Sequence, residues 1–375
     1  MKHFVIYKEP GSYISFPHVV SLPNKKLALV FRRASKFSAE AAISGKATHH
    51  DPDSSIEIIF SEDAGLTWSP QSRTIYKSEY GVNDPSLTVL KDGGLLLRFV
   101  ALNIMRTNEV KNLMGRHIFS HRVEHGLVTT VVGNVVCRSD DHGLTWRELC
   151  ISDAPGLTNA CSRDPILEMP DGSLLMPVYT GSPQRSEIAS VIRSFDQGLT
   201  WHEPTIIMCD TRGERSQQQG INFSETSLLH FRDGEILAMT RSDESFHTSG
   251  NQFVPVGGVG ELHTSRSYDG GLSWEYPSRT GIFGTPGALT QIGNNILLAT
   301  YGYRKIPYGI RCCLSRDAGR TWDVANEIII RDDAPSWDCG YPFTLSLSGG
   351  SMLTVYYLAD ADGNRHISGT LWQLP

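Results

Sequence analysis

"SDDHGLTW", Ser139 to Trp146, is one of five near-copies in a chain of 375 residues. The others are "SEDAGLTW" from Ser61, "SFDQGLTW" from Ser194, "SYDGGLSW" from Ser267 and "SRDAGRTW" from Ser315. The shared pattern is S-x-D-x-G-x-[ST]-W. Asp accepts hydrogen bonds from N–H groups of its own turn. Gly enters left-handed backbone at little cost. Trp brings a large ring for packing. The loop reads as a turn that fastens two strands, and its recurrence marks a repeating unit.

A second repeat runs between the loops. Its copies are "FPHVVSLPNKKLALVF" from Phe16, "DPSLTVLKDGGLLLRF" from Asp84, "DPILEMPDGSLLMPVY" from Asp164, "ETSLLHFRDGEILAMT" from Glu225, "TPGALTQIGNNILLAT" from Thr285 and "YPFTLSLSGGSMLTVY" from Tyr341. Each is an apolar run, a polar turn and another apolar run, the signature of a hairpin. A third run enters the loop, as in "SSIEIIFSED" and "GIRCCLSRD", and an outer strand follows. Six such units predict an all-β chain, a six-bladed β-propeller with four-stranded antiparallel blades. An open solenoid or two sandwiches are the competing arrangements. The last hairpin lacks the loop. "RHISGTLWQL" can serve as its third strand and the N-terminal "HFVIYKE" can complete its sheet. Residues 1–375 are therefore expected to form one domain, its ring closed by the two ends. "AEAAISGKATHHDPD", "LNIMRTNEVKNLMGRHIFSHRVEHGLVTT" and "SDESFHTSGNQFVPVGG" read as long inserted loops, where functional groups often sit.

The formal net charge of -6 supplies no basic field, so neither nucleic acid nor a membrane surface is an expected partner. No apolar run approaches the roughly 18 residues of a membrane span. "MKHFVIYKEPGSY" lacks the apolar core of a signal peptide. The seven Cys are irregularly spaced with no CxxC, which argues against a disulfide framework or a zinc site. These features predict a cytoplasmic protein without metal or cofactor.

Aligned on their turns, the hairpins begin with Phe16, Asp84, Asp164, Glu225, Thr285 and Tyr341, and Pro follows in all but the Glu225 copy. In a propeller, equivalent ends of the innermost strands surround one mouth of the central channel. The six side chains are thus expected to meet there. Arg33, Arg98, Arg241 and Arg304 end the adjoining strands, and Arg163 precedes Asp164. Carboxylates, Tyr and Arg together suit an anionic or hydroxyl-rich ligand. An ion-pair network that merely ties the blades together is the plain alternative.

The loops in this hairpin register resemble the Asp boxes of the sialidase (neuraminidase) superfamily, over essentially the whole chain. The "WDCGYP" to "TVYY" stretch resembles a bacterial sialidase-like subgroup of mostly unassigned substrate. The resemblance implies a retaining glycoside hydrolase acting on sialic acid or a related acidic sugar of a carbohydrate or glycoconjugate, with no cofactor. "ETSLLHFRDGEILAMTR" matches the pattern that gives the base, Glu225, and a substrate-binding Arg, Arg241. "GYPFTLSLSGGSMLTVYY" matches the nucleophile, Tyr341. "YGYRKIPYG" offers Arg304, with Arg311 in reserve. The proton donor falls in "THHDPDSSIEIIFSED", which implies Asp51 ahead of Asp53, with His50 beside it. Arg33, Arg163, Asp84 and Asp164 complete the expected binding set. One departure stands out. The family's Tyr-Arg-Ile-Pro is here "YISFP", with Ser15 or Phe16 where a carboxylate-binding Arg is expected. Either Arg33 or Arg163 replaces it, or the substrate differs. A glycosidase or lyase for a uronic acid or deoxy sugar, with Tyr341 and His50 as a proton-abstracting pair, and a non-catalytic carbohydrate-binding propeller are the competing functions.

Overall fold

The five loops fold alike in the computed structural model, which describes residues 1–34, 51–106, 127–152, 154–157, 159–182, 185–210, 219–232, 234–247, 253–255 and 260–374. In "SDDHGLTW" the Ser139 hydroxyl donates to Asp141 Oδ1 at 2.8 Å and accepts from Gly143 N at 2.9 Å. Asp141 also accepts from Thr145 N at 2.8 Å and from Thr145 Oγ1 at 2.6 Å. The pattern forces two left-handed residues in a row, His142 at φ 60° and Gly143 at φ 85°. Gly takes the second position without a Cβ penalty.

Each loop links the third and outer strands of an antiparallel sheet. The first strand, β1 (Lys2–Tyr7), belongs to the last sheet. The first blade is β2 (Tyr13–Ser21), β3 (Leu27–Ala34), β4 (Ser54–Ser61) and β5 (Arg73–Tyr76). The second is β6 (Gly81–Val89), β7 (Leu95–Arg106), β8 (Leu127–Ser139) and β9 (Arg147–Ser152). The third is β10 (Leu167–Glu168), β11 (Leu174–Ser182), β12 (Arg185–Ser194) and β13 (Thr205–Met208). The fourth is β14 (Gln219–Arg232), β15 (Glu235–His247), β17 (Glu261–Ser267) and β18 (Ser278–Phe283), with β16 (Phe253–Pro255) on the free end of β15. The fifth is β19 (Gly287–Gln291), β20 (Leu297–Tyr303), β21 (Tyr308–Ser315) and β22 (Ile328–Ala334). The sixth is β23 (Gly340–Ser346), β24 (Ser351–Ala359) and β25 (Arg365–Gln373), completed by β1. The fold is a six-bladed β-propeller.

Two details depart from the sequence expectation. The fourth sheet has five strands, because the β14–β15 hairpin outruns its neighbours and leaves an edge that β16 pairs. The innermost strand of the third blade shrinks to Leu167–Glu168, so Asp164 precedes it rather than starting it.

The apolar side chains form six buried clusters, one at each junction between blades. Leu95, Leu97 and Phe99 face the first blade while Leu96 faces the third. Both faces of a middle strand are covered, and this is why runs such as "LALVF" are apolar throughout instead of alternating.

Candidate active site

Four innermost strands carry the same irregularity at the same place. The ladder skips a step at Phe16, Asp84, Glu225 and Tyr341, each a β-bulge against the next strand. All four have left-handed backbone, with φ of 54°, 50°, 41° and 51°. Such conformations cost on the order of 1–3 kcal/mol each for non-Gly residues and concentrate at functional sites. A bulge re-aims a side chain that strand alternation would send elsewhere.

Glu225 and Tyr341, 116 residues apart, meet directly: the Tyr341 hydroxyl donates to Glu225 Oε1 at 2.5 Å. The other carboxylate oxygen, Oε2, accepts from Arg241 Nη1 at 2.8 Å. Arg241 is also held by Asp243, through Nε at 2.6 Å. Burial pushes the Glu225 carboxyl up, but Arg241 and Arg163, with the Tyr341 and Arg241 hydrogen bonds, outweigh it and hold Glu225 below its ordinary value. Burial, then Glu225 and Asp84, push the Tyr341 phenol well above its ordinary value against the pull of Arg241 and Arg304. The resting pair is an ionised carboxylate and an intact phenol, at 4% and 6% exposure.

Arg163 comes from the third blade and reaches across to the fifth and sixth. It donates to Gly287 O at 3.1 Å and to Asp164 Oδ1 at 3.0 Å. Its guanidinium lies 5.1 Å from the Tyr341 ring centre and 4.6 Å from that of Phe343. Arg304 lies 5.9 Å from the Tyr341 ring and 5.7 Å from that of Trp337. Among the described residues, Arg304 Nε and Nη2 and Arg163 Nε and Nη2 are buried with no acceptor. The Phe16 ring meets Tyr341 edge-on at 4.6 Å and forms an apolar wall.

Asp84 is 7% exposed, and its Oδ1 finds no donor among the described residues. Burial and the facing Glu225 raise its carboxyl to about 7, against the pull of Arg98, Arg163 and Arg32. Asp164 is fully buried on Arg163, and its carboxyl is also raised by burial. Arg98 serves the scaffold. It donates to the carbonyls of Asp84 at 3.0 Å, Ser162 at 2.6 Å and Asp164 at 2.8 Å, and so locks the second blade to the third. Asp51 is buried near the first blade, where its Oδ1 accepts from Asp53 N at 2.8 Å. Asp53 itself pairs with Lys77 at 2.8 Å. His50 lies outside the described residues. Arg311 stacks on Tyr303 and pairs with Glu327, at the outer side of the fifth blade.

Arg33 does not join the mouth. It turns to Glu9, which accepts from its Nε at 2.7 Å. Arg32 takes the inward place. It pairs across the ladder with Ser15 as Arg241 pairs with Ser224. Arg32 is 0% exposed, donates through Nε to Val82 O at 2.8 Å, and keeps Nη1 and Nη2 unpartnered among the described residues. Its charge acts on Asp51 and Asp84. Strand alternation explains the exchange, since a one-residue step turns a side chain to the other face. The sequence held the signal. "LALVFR" and "ILAMTR" run in parallel register from the residue paired with the loop Ser, Leu27 with Ser61 and Ile236 with Ser267. Asp243 was also missed, since an Asp two places beyond an Arg is unremarkable in sequence.

The architecture and the mouth define a propeller protein with a polar site built around a carboxylate-bound tyrosine. The chain belongs to the BNR repeat-like domain family, whose model matches residues 118–355. It is similar to a Dyadobacter fermentans protein of unknown function, at 27% identity and a TM-score of 0.82 over 100% of this chain and 98% of that one. It also resembles the NanB sialidase of Streptococcus pneumoniae, at 13% identity and 0.60 over 99% and 70%. The GH93 alpha-L-arabinofuranosidase of Fusarium graminearum shares 12% identity, with 0.65 over 100% and 98%. The last two likenesses are of fold alone. No curated protein sequence matches this chain.

Proposed function

We propose that the mouth is the active site of a retaining glycoside hydrolase for an acidic sugar, with Tyr341 as nucleophile and Glu225 as its base. The observation that carries this reading is the 2.5 Å hydrogen bond from Tyr341 to a carboxylate kept ionised by Arg241. A phenol with an ordinary pKa near 10 needs such a base within hydrogen-bond reach. A neutral phenol also brings no second anion against a substrate carboxylate, and a Tyr nucleophile is the sialidase exception among glycosidases. Arg241, Arg304 and Arg163 surround the pair, and the unpartnered N–H groups of the last two suit a carboxylate. Arg163 then supplies the cation missing at Ser15. The leaving oxygen takes its proton from a carboxylic acid of the same mouth, for which Asp51 and Asp84 compete.

The test is turnover of a panel of 4-methylumbelliferyl glycosides of sialic acid, uronic acids and neutral sugars. Wild-type protein is expected to cleave an acidic member, with Tyr341→Phe and Glu225→Gln both inactive. Preserved turnover in Tyr341→Phe removes the nucleophile. An unsaturated, ultraviolet-absorbing product assigns a lyase instead, and binding without turnover assigns a carbohydrate-binding propeller.

A further inference from the structure

We propose that Asp338 is a positioning residue, which fixes the aim of Tyr341 without touching substrate. The inference rests on the hydrolase reading, since it assigns what holds that reading's nucleophile. Tyr341 is tied at one end by its hydrogen bond to Glu225 at 2.5 Å. One bond fixes the oxygen and leaves the ring free to swing about it. The ring is therefore set by what packs on it. Phe16 lies 4.6 Å away and Tyr357 5.9 Å away, and those two rings are 5.4 Å from each other. The nucleophile thus leans on Tyr357, directly and through Phe16.

Tyr357 is held in turn by Asp338, whose Oδ1 accepts from the Tyr357 hydroxyl at 2.8 Å. Tyr13, on the innermost strand of the first blade, donates to Oδ2 of the same carboxylate at 3.0 Å. Arg365, on β25, donates to Oδ2 through Nε at 3.0 Å and lies against it through Nη2 at 2.8 Å. All four side chains are buried. A carboxylate withdrawn from water needs such donors and a countercharge, and charge-assisted bonds hold their geometry tightly. Burial and the facing Asp338 keep both phenols protonated, so each remains a donor.

The place of Asp338 in the chain strengthens the effect. It stands three residues before Tyr341, in the segment between β22 and β23. Its bonds therefore anchor the backbone that delivers the nucleophile as well as the ring behind it. The Tyr13 bond also spans the closure of the ring, because it joins the first blade to the sixth. The same segment carries Trp337, whose ring lies 5.7 Å from the Arg304 guanidinium, and Arg304 lies 5.9 Å from the Tyr341 ring. A fully satisfied buried network of this kind selects one arrangement of its members. A small displacement of a reacting group is costly in rate.

The first test needs no substrate. Fluorotyrosine is incorporated at the 13 Tyr positions, and the fluorine NMR resonance of Tyr341 is identified by its loss in Tyr341→Phe. Asp338→Asn keeps the shape of the side chain, but its amide nitrogen meets the donors of Arg365 or of a phenol and a bond is lost. The Tyr341 resonance is expected to shift or broaden, while that of Tyr268, exposed on the fourth blade, stays in place. An unmoved Tyr341 resonance in folded Asp338→Asn overturns the proposal. If Asp338→Asn does not fold, Tyr357→Phe takes its place, since it removes one hydroxyl and keeps the ring; an unmoved resonance there overturns the proposal equally. The second test is kinetic, on the 4-methylumbelliferyl glycoside that wild type cleaves. Both variants should lower kcat by about 10- to 100-fold. In Tyr357→Phe, KM should change by less than about twofold, because the binding groups are untouched. A role in stability alone gives a lower melting temperature with kcat unchanged, and that result overturns the proposal. An unmoved resonance rejects this role and leaves the hydrolase reading standing. Absence of wild-type turnover on the whole panel rejects that reading, and with it this role, whatever the spectrum shows.

Discussion

Asp84→Asn should become progressively more stable relative to wild type as the pH rises. The Asp84 carboxyl loses its proton near pH 4 in the unfolded chain and at about 7 in the folded one. Between those values the unfolded state has released a proton that the folded state still holds. Folding therefore loses about 1.4 kcal/mol per pH unit across the window, and the loss ends above the folded value. Three units make the full penalty about 4 kcal/mol, of which about 3 kcal/mol falls between pH 5 and pH 8. Asn carries no such proton. Its own cost, from a changed hydrogen-bonding pattern, is independent of pH and cancels when two pH values are compared. The assay is denaturant unfolding of both proteins at half-unit steps from pH 5 to pH 8. The stability difference should move in favour of the variant up to about pH 7 and then level. A flat difference, or one that moves towards wild type, refutes the account of a buried carboxyl facing Glu225.

Arg98→Met leaves three buried carbonyls between the second and third blades without their donor and should cost at least about 3 kcal/mol in denaturant unfolding. Asp141→Ala removes three hydrogen bonds from a loop at the rim and should cost about 1–3 kcal/mol while leaving kcat unchanged, read by thermal melts and the glycoside assay. Arg33→Ala should cost less than about 1 kcal/mol, because its pair with Glu9 is partly solvated, and it should leave KM unmoved. Arg32→Met should alter KM or kcat, and equal behaviour of the two variants would refute the inward placement of Arg32.

Much of the fold was legible because the loops repeat a turn that only a few residue types can make. Ser, Asp and Gly at fixed spacing specify the hydrogen bonds, and the copies then set the strand register. Pro after Phe16, Asp84 and Tyr341 marked the strand entries, though not that three of these entries and Glu225 share a left-handed bulge. A bulge is a property of two strands in register, and one strand's letters do not display it. The choice of Arg33 over Arg32 failed for a related reason: adjacent Arg residues look equivalent until the ladder partner is known. The shortened β10 was hidden because "DPILEMP" carries the same letters as a longer strand. The buried setting of Asp84 was the least legible part. Asp51 matches a family position, whereas the surroundings of Asp84 arise from residues on several other blades.

The bulge at Phe16 has a consequence beyond the present chemistry. Its backbone is already bent to φ 54° and its side chain already abuts Tyr341, yet it carries only hydrocarbon. That left-handed backbone is set by the bulge between β2 and β3, and its cost varies with the side chain that stands there, least for Gly and low for Asn or Asp. Phe16 is therefore both a wall of the mouth and a buried packing partner of Tyr341 and Tyr357. Under the proposed function, a polar side chain exchanged for Phe16 would enter the mouth beside Tyr341 without a shift of strand, and would give up the apolar contacts with Tyr341 and Tyr357.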